Sequence, residues 1–174
     1  MLVAVSGIDG SGKSTLIDHV VTTLSKAGWA TAPFRGLEAE ERFLGALRPL
    51  AAGPDGQRVE AFIAEYLGWK LITNGRAALD ESRGADIVVA DRFVLDHWAN
   101  QLVFGMGLDE MRWVGVLAPK ADLTVLLDVP SELAWHRVAA REKGPGWQSL
   151  AFLQQAEIAF NACVSGVPGG PVLR

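Results

Sequence analysis

Val3-Ala4-Val5-Ser6-Gly7-Ile8-Asp9-Gly10-Ser11-Gly12-Lys13-Ser14-Thr15 fits the pattern G-x-x-x-x-G-K-[ST]. It leads from a short apolar strand pattern, Leu2–Ser6, into an amphipathic helical one over 13–27, and those flanks give the motif its meaning. Gly7, Gly10 and Gly12 let the backbone turn with φ > 0 and aim N–H groups inward, while the helix opening at Lys13 adds its positive dipole end. With Asp9, Ser11 and Thr15 these residues form a loop that cradles a phosphate chain. Lys13 can reach β- and γ-phosphates and Ser14 can offer a hydroxyl to Mg²⁺, so a phosphate chain with Mg²⁺ is the expected ligand. Such a loop names a ligand; the reaction must be read elsewhere.

Length and composition suit one domain over residues 1–174. A chain of 174 residues with 49% apolar content can bury a sizeable single core. The net charge of −4, without any block of basic residues, gives nucleic acid no electrostatic track. Cys163 is the single cysteine, which rules out an internal disulfide and suits a reducing, cytoplasmic setting. His19, His97 and His136 share no ligand spacing. No apolar run approaches the about 18 residues of a membrane span, and no basic leader precedes Leu2, so neither membrane nor secretion is expected.

Short apolar runs alternate with helical stretches along the chain. Leu2–Ser6, Trp29–Phe34, Asp86–Ala90 and Asp122–Val129 read as strands, the last two as the near-continuous runs of a buried parallel sheet. Residues 13–27 set Leu16, Val20 and Leu24 on one face and stop at Lys26 and Gly28. Further helices are predicted at 38–50, 58–82, 92–104, 108–117, 131–142 and 148–163, with Ser131 as an N-cap. This is an α/β chain with a parallel sheet flanked by helices, a three-layer P-loop sandwich.

The second informative stretch is Val88-Val89-Ala90-Asp91-Arg92-Phe93. Ligands of such sheets bind beyond the carboxyl ends of the strands, which puts Asp91 and Arg92 in the cleft of the phosphate loop. Asp91 is then a Mg²⁺ ligand or supports one, and Arg92 grips a second phosphate with its planar fork. A structural ion pair at a strand end is the duller alternative. Arg35, after the second strand, faces the same cleft. A third stretch, Arg137-Val138-Ala139-Ala140-Arg141-Glu142-Lys143-Gly144-Pro145-Gly146, supplies the cations that the loop itself lacks. It reads as a small lid around 137–150, with Arg137 and Arg141 on ATP and Arg141 serving catalysis. A cationic helix end favoured by the macrodipole would look the same.

Taken together, the loop Gly7–Thr15, then Asp91-Arg92-Phe93, then Ala121–Val129 with Arg137 in the next helix, resemble the thymidylate kinase family over nearly the whole chain. The resemblance implies a nucleoside monophosphate kinase-like fold and γ-phosphoryl transfer from ATP, with Mg²⁺, to a nucleoside monophosphate. It also implies that Asp9 lies near the acceptor sugar and phosphate, that Arg92 binds the acceptor phosphate, and that the protein is a homodimer. Lys13, Asp9 and Arg92 thereby become candidate catalytic residues. Where this family has small hydroxyl residues followed by Ala-Tyr-Gln or Ala-Phe, the chain reads Val94-Leu95-Asp96-His97-Trp98-Ala99-Asn100-Gln101, with Asn100 at the expected aromatic ring. Where the family has Phe-x-x-x-Arg, it reads Tyr66-Leu67-Gly68-Trp69-Lys70. Asp96, His97, Asn100, Gln101, Tyr66, Trp69 and Lys70 are therefore the candidate substrate contacts of a divergent base pocket.

Two other functions fit the same residues. An acceptor hydroxyl, on a nucleoside or another small molecule, would need a carboxylate as base, and Asp9 is the candidate. A non-catalytic nucleotide-sensing module would bind ATP without turnover; the ending Val167–Arg174, where the family enters its last strand and continues into a terminal helix, motivates that alternative. Tyr66 and Trp69, at helical spacing with Phe62, equally suit a core or a homodimer face.

Overall fold

The computed structural model describes residues 1–37, 41–140 and 149–174. Its elements are β1 (Leu2–Ser6), α1 (Lys13–Lys26), β2 (Thr31–Arg35), α2 (Glu41–Ala51), α3 (Gly56–Glu81), β3 (Ile87–Asp91), α4 (Val94–Val103), α5 (Leu108–Leu117), β4 (Leu123–Leu126), α6 (Ser131–Ala139), α7 (Leu150–Cys163) and β5 (Val172–Leu173). All sheet pairings are parallel and the strand order is β2-β3-β1-β4-β5. Parallel strands require crossovers, and the helices that make them cover both faces.

The side-chain alternation of β1 and β3 divides the interior in two. Leu2 and Ala4, with Val88 and Ala90, point into the larger core beside Leu71, Phe93, Val114 and Leu153. Val5 and Val89 point the other way, against Ile17 of α1, with Leu16 and Val21 packed around them. The deepest α1 contact is thus Ile17, one residue on from the predicted Leu16. α3, α4, α5 and α7 close the larger side, and Leu71, Val114 and Leu153 are wholly buried there.

Several boundaries move for identifiable reasons. β2 starts at Thr31, because Trp29 still belongs to the turn ending α1: its N–H donates to Leu24 O at 3.0 Å and its ring is half exposed. The helix expected from Arg92 starts at Val94, since Arg92 takes φ 67 and cannot continue a helix. Ser131 is not the cap of α6; Pro130 holds that position, and the free Ser131 N–H donates to Glu157 Oε2 of α7 at 3.1 Å. The strand over 122–129 shortens to Leu123–Leu126, and β5, in the stretch where the resemblance puts a last strand, pairs with it through Thr124↔Val172. The early part of helix 38–50, the end of helix 131–142 and the Lys143–Gly146 turn include positions outside the described residues.

The phosphate loop is seated directly against α6. Gly7, Gly10 and Gly12 all have positive φ, and a Cβ on Gly10 would collide with the Ala134 carbonyl of α6. Both the backbone angle and the close approach exclude a side chain at Gly10. Gly10→Ala is expected to destabilise the fold by about 1–3 kcal/mol and to weaken nucleotide binding, as checked by thermal denaturation with and without ATP.

Candidate active site

β1 and β3 lie side by side in the register Val5↔Asp91, so the loop leaving β1 and the Asp91-Arg92 pair leaving β3 open into one cleft. That cleft, about 80 Å³, is lined by Asp9, Gly10, Gly12, Lys13, Ser14, Thr15, Asp91 and Arg92. A larger hollow of about 400 Å³, lined among others by Trp98, Gly115, Cys163 and Pro168, shares no residue with it.

Lys13 is buried at the start of α1, with Nζ donating to Gly7 O at 2.7 Å and Ile8 O at 2.8 Å. Burial and the nearby Arg92 charge pull its pKa down to about 8, against the opposing pull of Asp96, Asp9 and Asp91. It is therefore a mostly charged ammonium at neutral pH that rests on loop carbonyls. Arg92 Nη2 is ion-paired with Asp9 Oδ1, and Arg92 Nη1 approaches Asp96 Oδ1 at 3.5 Å. Burial disfavours the guanidinium charge, but Asp9, Asp96 and Asp91 outweigh it and raise the pKa. Ser11 Oγ and Asp91 Oδ1 are buried without a hydrogen-bond partner. Ser14 and Thr15 are exposed at the cleft.

Of the remaining predicted residues, Arg35 sits opposite Asp91 in the β2–β3 register with its side chain exposed. Arg137 donates from Nη1 to Gly10 O at 3.2 Å, which links α6 to the loop. Arg141 and most of the 137–150 lid lie outside the described residues. Asp96 is completely buried, with Oδ2 accepting the Phe93 N–H at 3.1 Å and Oδ1 facing the Gly7 N–H at 3.4 Å. Burial raises its pKa, against Arg92 and Lys13. His97 and Gln101, one turn apart on α4, are also buried; both His97 nitrogens and Gln101 Oε1 have no partner. Asn100 is half-buried between them in sequence.

The α3 candidates divide by neighbour. Tyr66 stacks on Phe43 of α2 at 4.7 Å between ring centroids, while Trp69, 54% exposed, stacks on Trp113 of α5 at 5.0 Å. Lys70 is half-buried on the same helix. Sequence reasoning missed Gly36, whose N–H donates to Asp91 O at 3.1 Å and whose missing side chain makes room for the Arg92 carbonyl. A lone glycine after a strand carries no signal of that role. The edge-on Phe34–Phe93 contact, 6.2 Å between centroids, supports the same corner.

A parallel sheet in this order, a glycine phosphate loop after the central strand and an acid-arginine pair after its neighbour define a P-loop kinase of the nucleoside monophosphate type. Residues 5–165 match the family described as thymidylate kinase, and the chain belongs to that family. It is 29% identical over 161 residues to a probable thymidylate kinase of Archaeoglobus fulgidus, covering 92% of this chain and 80% of that protein. It is 33% identical over 163 residues to a thymidylate kinase of Xanthomonas oryzae pv. oryzae, covering 83% of this chain and 63% of that protein. A probable thymidylate kinase of Pyrobaculum calidifontis is 29% identical over 155 residues, covering 89% and 78%. The chain thus spans less than two thirds of the Xanthomonas relative's length.

Burial holds the His97 imidazole neutral, with its pKa pushed down to about 4. The unfolded chain protonates this histidine near 6.5 and the folded chain only near 4. Its contribution to stability is therefore fully present above pH 6.5 and is lost as pH falls through 4. The full loss corresponds to ~3 kcal/mol. The difference between wild-type and His97→Asn unfolding free energies, followed from pH 7 to pH 4, should narrow accordingly; a pH-independent difference would contradict a buried neutral imidazole.

Proposed function

We propose that this protein transfers the γ-phosphoryl group of ATP to a nucleoside monophosphate through a base pocket unlike that of its thymidylate kinase relatives. The observation that carries this reading is that Lys13 and Arg92 line one cleft at the ends of adjacent strands. One cation is placed for the donor phosphates and the other for the acceptor phosphate. Lys13 would exchange its carbonyl partners Gly7 and Ile8 for phosphate oxygens, joined by backbone N–H groups of Gly10, Gly12 and Thr15. Arg92 would align the acceptor phosphate, whose oxygen is already ionised and needs orientation and screening rather than a base.

Ser14 and Asp91 fit a Mg²⁺ role, since a hydroxyl and a carboxylate with one unpartnered oxygen face the same cleft. Mg²⁺ takes few protein ligands when phosphates supply the rest. When bound, the ion would neutralise charge developing between donor phosphates. Arg137, with Arg141 in the 137–150 lid, would add positive charge over ATP. Asn100, Arg35, Tyr66 and Lys70 are the groups proposed for base and sugar recognition, while His97 and Gln101, with almost no exposed surface, would act on the acceptor only through neighbours. Asp9 as a base for an acceptor hydroxyl is the less favoured reading, because its carboxylate is engaged by Arg92. We place the enzyme in the cytoplasm as a single domain; no described helix is long and apolar enough to cross a membrane.

Half-exposed Phe62 and Trp69 on α3 and the strongly exposed Val116 on α5 favour a homodimer face, and Trp69 is assigned to it ahead of the base pocket. Light scattering should give twice the chain mass, with Trp69→Glu shifted to monomer; a wild-type monomer would remove the dimer.

Turnover with ATP and Mg²⁺ is tested against deoxy- and ribonucleoside monophosphates and their parent nucleosides, with Lys13→Ala as the inactive control. A nucleoside diphosphate product is expected, and Arg92→Ala should raise the acceptor KM about tenfold or more while leaving the ATP KM within about twofold. A monophosphate made from a nucleoside would move the assignment to a hydroxyl kinase, and ATP binding without any product to a sensing module.

A further inference from the structure

We propose that Asp96 is a positioning residue that locks the acceptor-side arginine to the phosphate loop, so that donor and acceptor are gripped by one rigid unit. The proposal rests on Arg92 being the acceptor-phosphate grip. Asp96 has no exposed surface, so it acts through neighbours and not by touching substrate. Besides the Lys13 charge and the Ser6 side chain, its carboxylate faces three of them. Oδ2 accepts the Phe93 N–H at 3.1 Å, and Oδ1 faces both the Gly7 N–H at 3.4 Å and Arg92 Nη1 at 3.5 Å.

Those contacts join the first loop residue after β1, the turn after β3 and the first turn of α4. Arg92 is the one non-glycine with positive φ among the described residues, a conformation that persists only where the surroundings impose it. Asp96 constrains it from two sides, through the next backbone N–H and through the guanidinium itself. The other fork of Arg92 goes to Asp9, which is partly exposed at the cleft. An entering phosphate competes with Asp9 for that fork. Asp96 lies behind the guanidinium and is not displaced, so Arg92 keeps both a counter-charge and a fixed direction during the exchange.

A capping role alone would require only an oxygen on the Phe93 N–H, which asparagine supplies as well as aspartate. The positioning role requires the negative charge, which Arg92 and Lys13 favour against burial. Asp96→Asn separates the two, read by kinetics with ATP and the best nucleoside monophosphate of the substrate panel, by calorimetric ATP binding and by thermal denaturation. The expected result is a folded variant whose acceptor KM is raised about tenfold, several times more than ATP affinity falls through the charge Asp96 also presents to Lys13, with no further rise in acceptor KM when Arg92→Ala is added. Unchanged kinetics, or equal losses for ATP and acceptor, would overturn the proposal. An acceptor KM unaffected by Arg92→Ala alone would remove the underlying assignment of Arg92 instead. Should Asp96→Asn not fold alone, the Arg92→Ala background decides: the added substitution raises Tm if the acid was paired with Arg92, and a lowered Tm overturns the pairing.

Discussion

Everything at this site depends on the parallel pairing of β1 with β3. Val5 lies beside Asp91, and two residues after Val5 the chain enters the glycine loop while one residue after Asp91 it turns left-handed at Arg92. A slip of one residue would exchange the two faces of β3, sending Val89 into the larger core and Ala90 toward α1. Both faces are buried, so the register is fixed by packing on each side. The geometry of phosphate recognition is therefore inherited from core packing rather than from the polar residues themselves.

The electrostatics then follow from crowding. Lys13 and Arg92 share a small space with Asp9, Asp91 and Asp96, and each cation is held by groups that a substrate would partly replace. Lys13 rests on carbonyl oxygens and has its proton affinity lowered by burial and by Arg92. An incoming phosphate would reverse that balance, since a fixed negative charge favours the ammonium form. Resting partners of this kind keep buried cations satisfied without binding them so tightly that ligand exchange becomes unfavourable.

The sheet, the loop and the Asp91-Arg92 corner were legible because each rests on a local rule: apolar runs for buried strands, glycine for positive φ, and a polar residue at a strand's carboxyl end. Boundaries that depended on distant partners were not. Ser131 reads as a cap until Glu157, 26 residues later, takes its N–H. Arg92 reads as the start of a helix until its own backbone angle excludes it. β5 is a two-residue strand with no periodicity to detect, and it exists only because β4 presents an open edge.

Acceptor recognition was the least legible part, for a reason visible in α4. Seven of its ten residues are buried, so helical periodicity cannot separate those facing the core from those facing a ligand. Asp96, His97 and Gln101 look alike in the sequence as polar residues on one helix. In the fold they differ by their partners: Asp96 faces a guanidinium and two backbone N–H groups, whereas His97 and Gln101 retain buried atoms with none. Unpartnered polar atoms in a packed interior carry a standing energetic penalty, and with almost no exposed surface His97 and Gln101 do not offer those atoms directly to a ligand. Chemical selectivity of the acceptor pocket is thus expected to reside in half-buried Asn100 and in partly exposed residues of other elements, and positioning in buried Asp96.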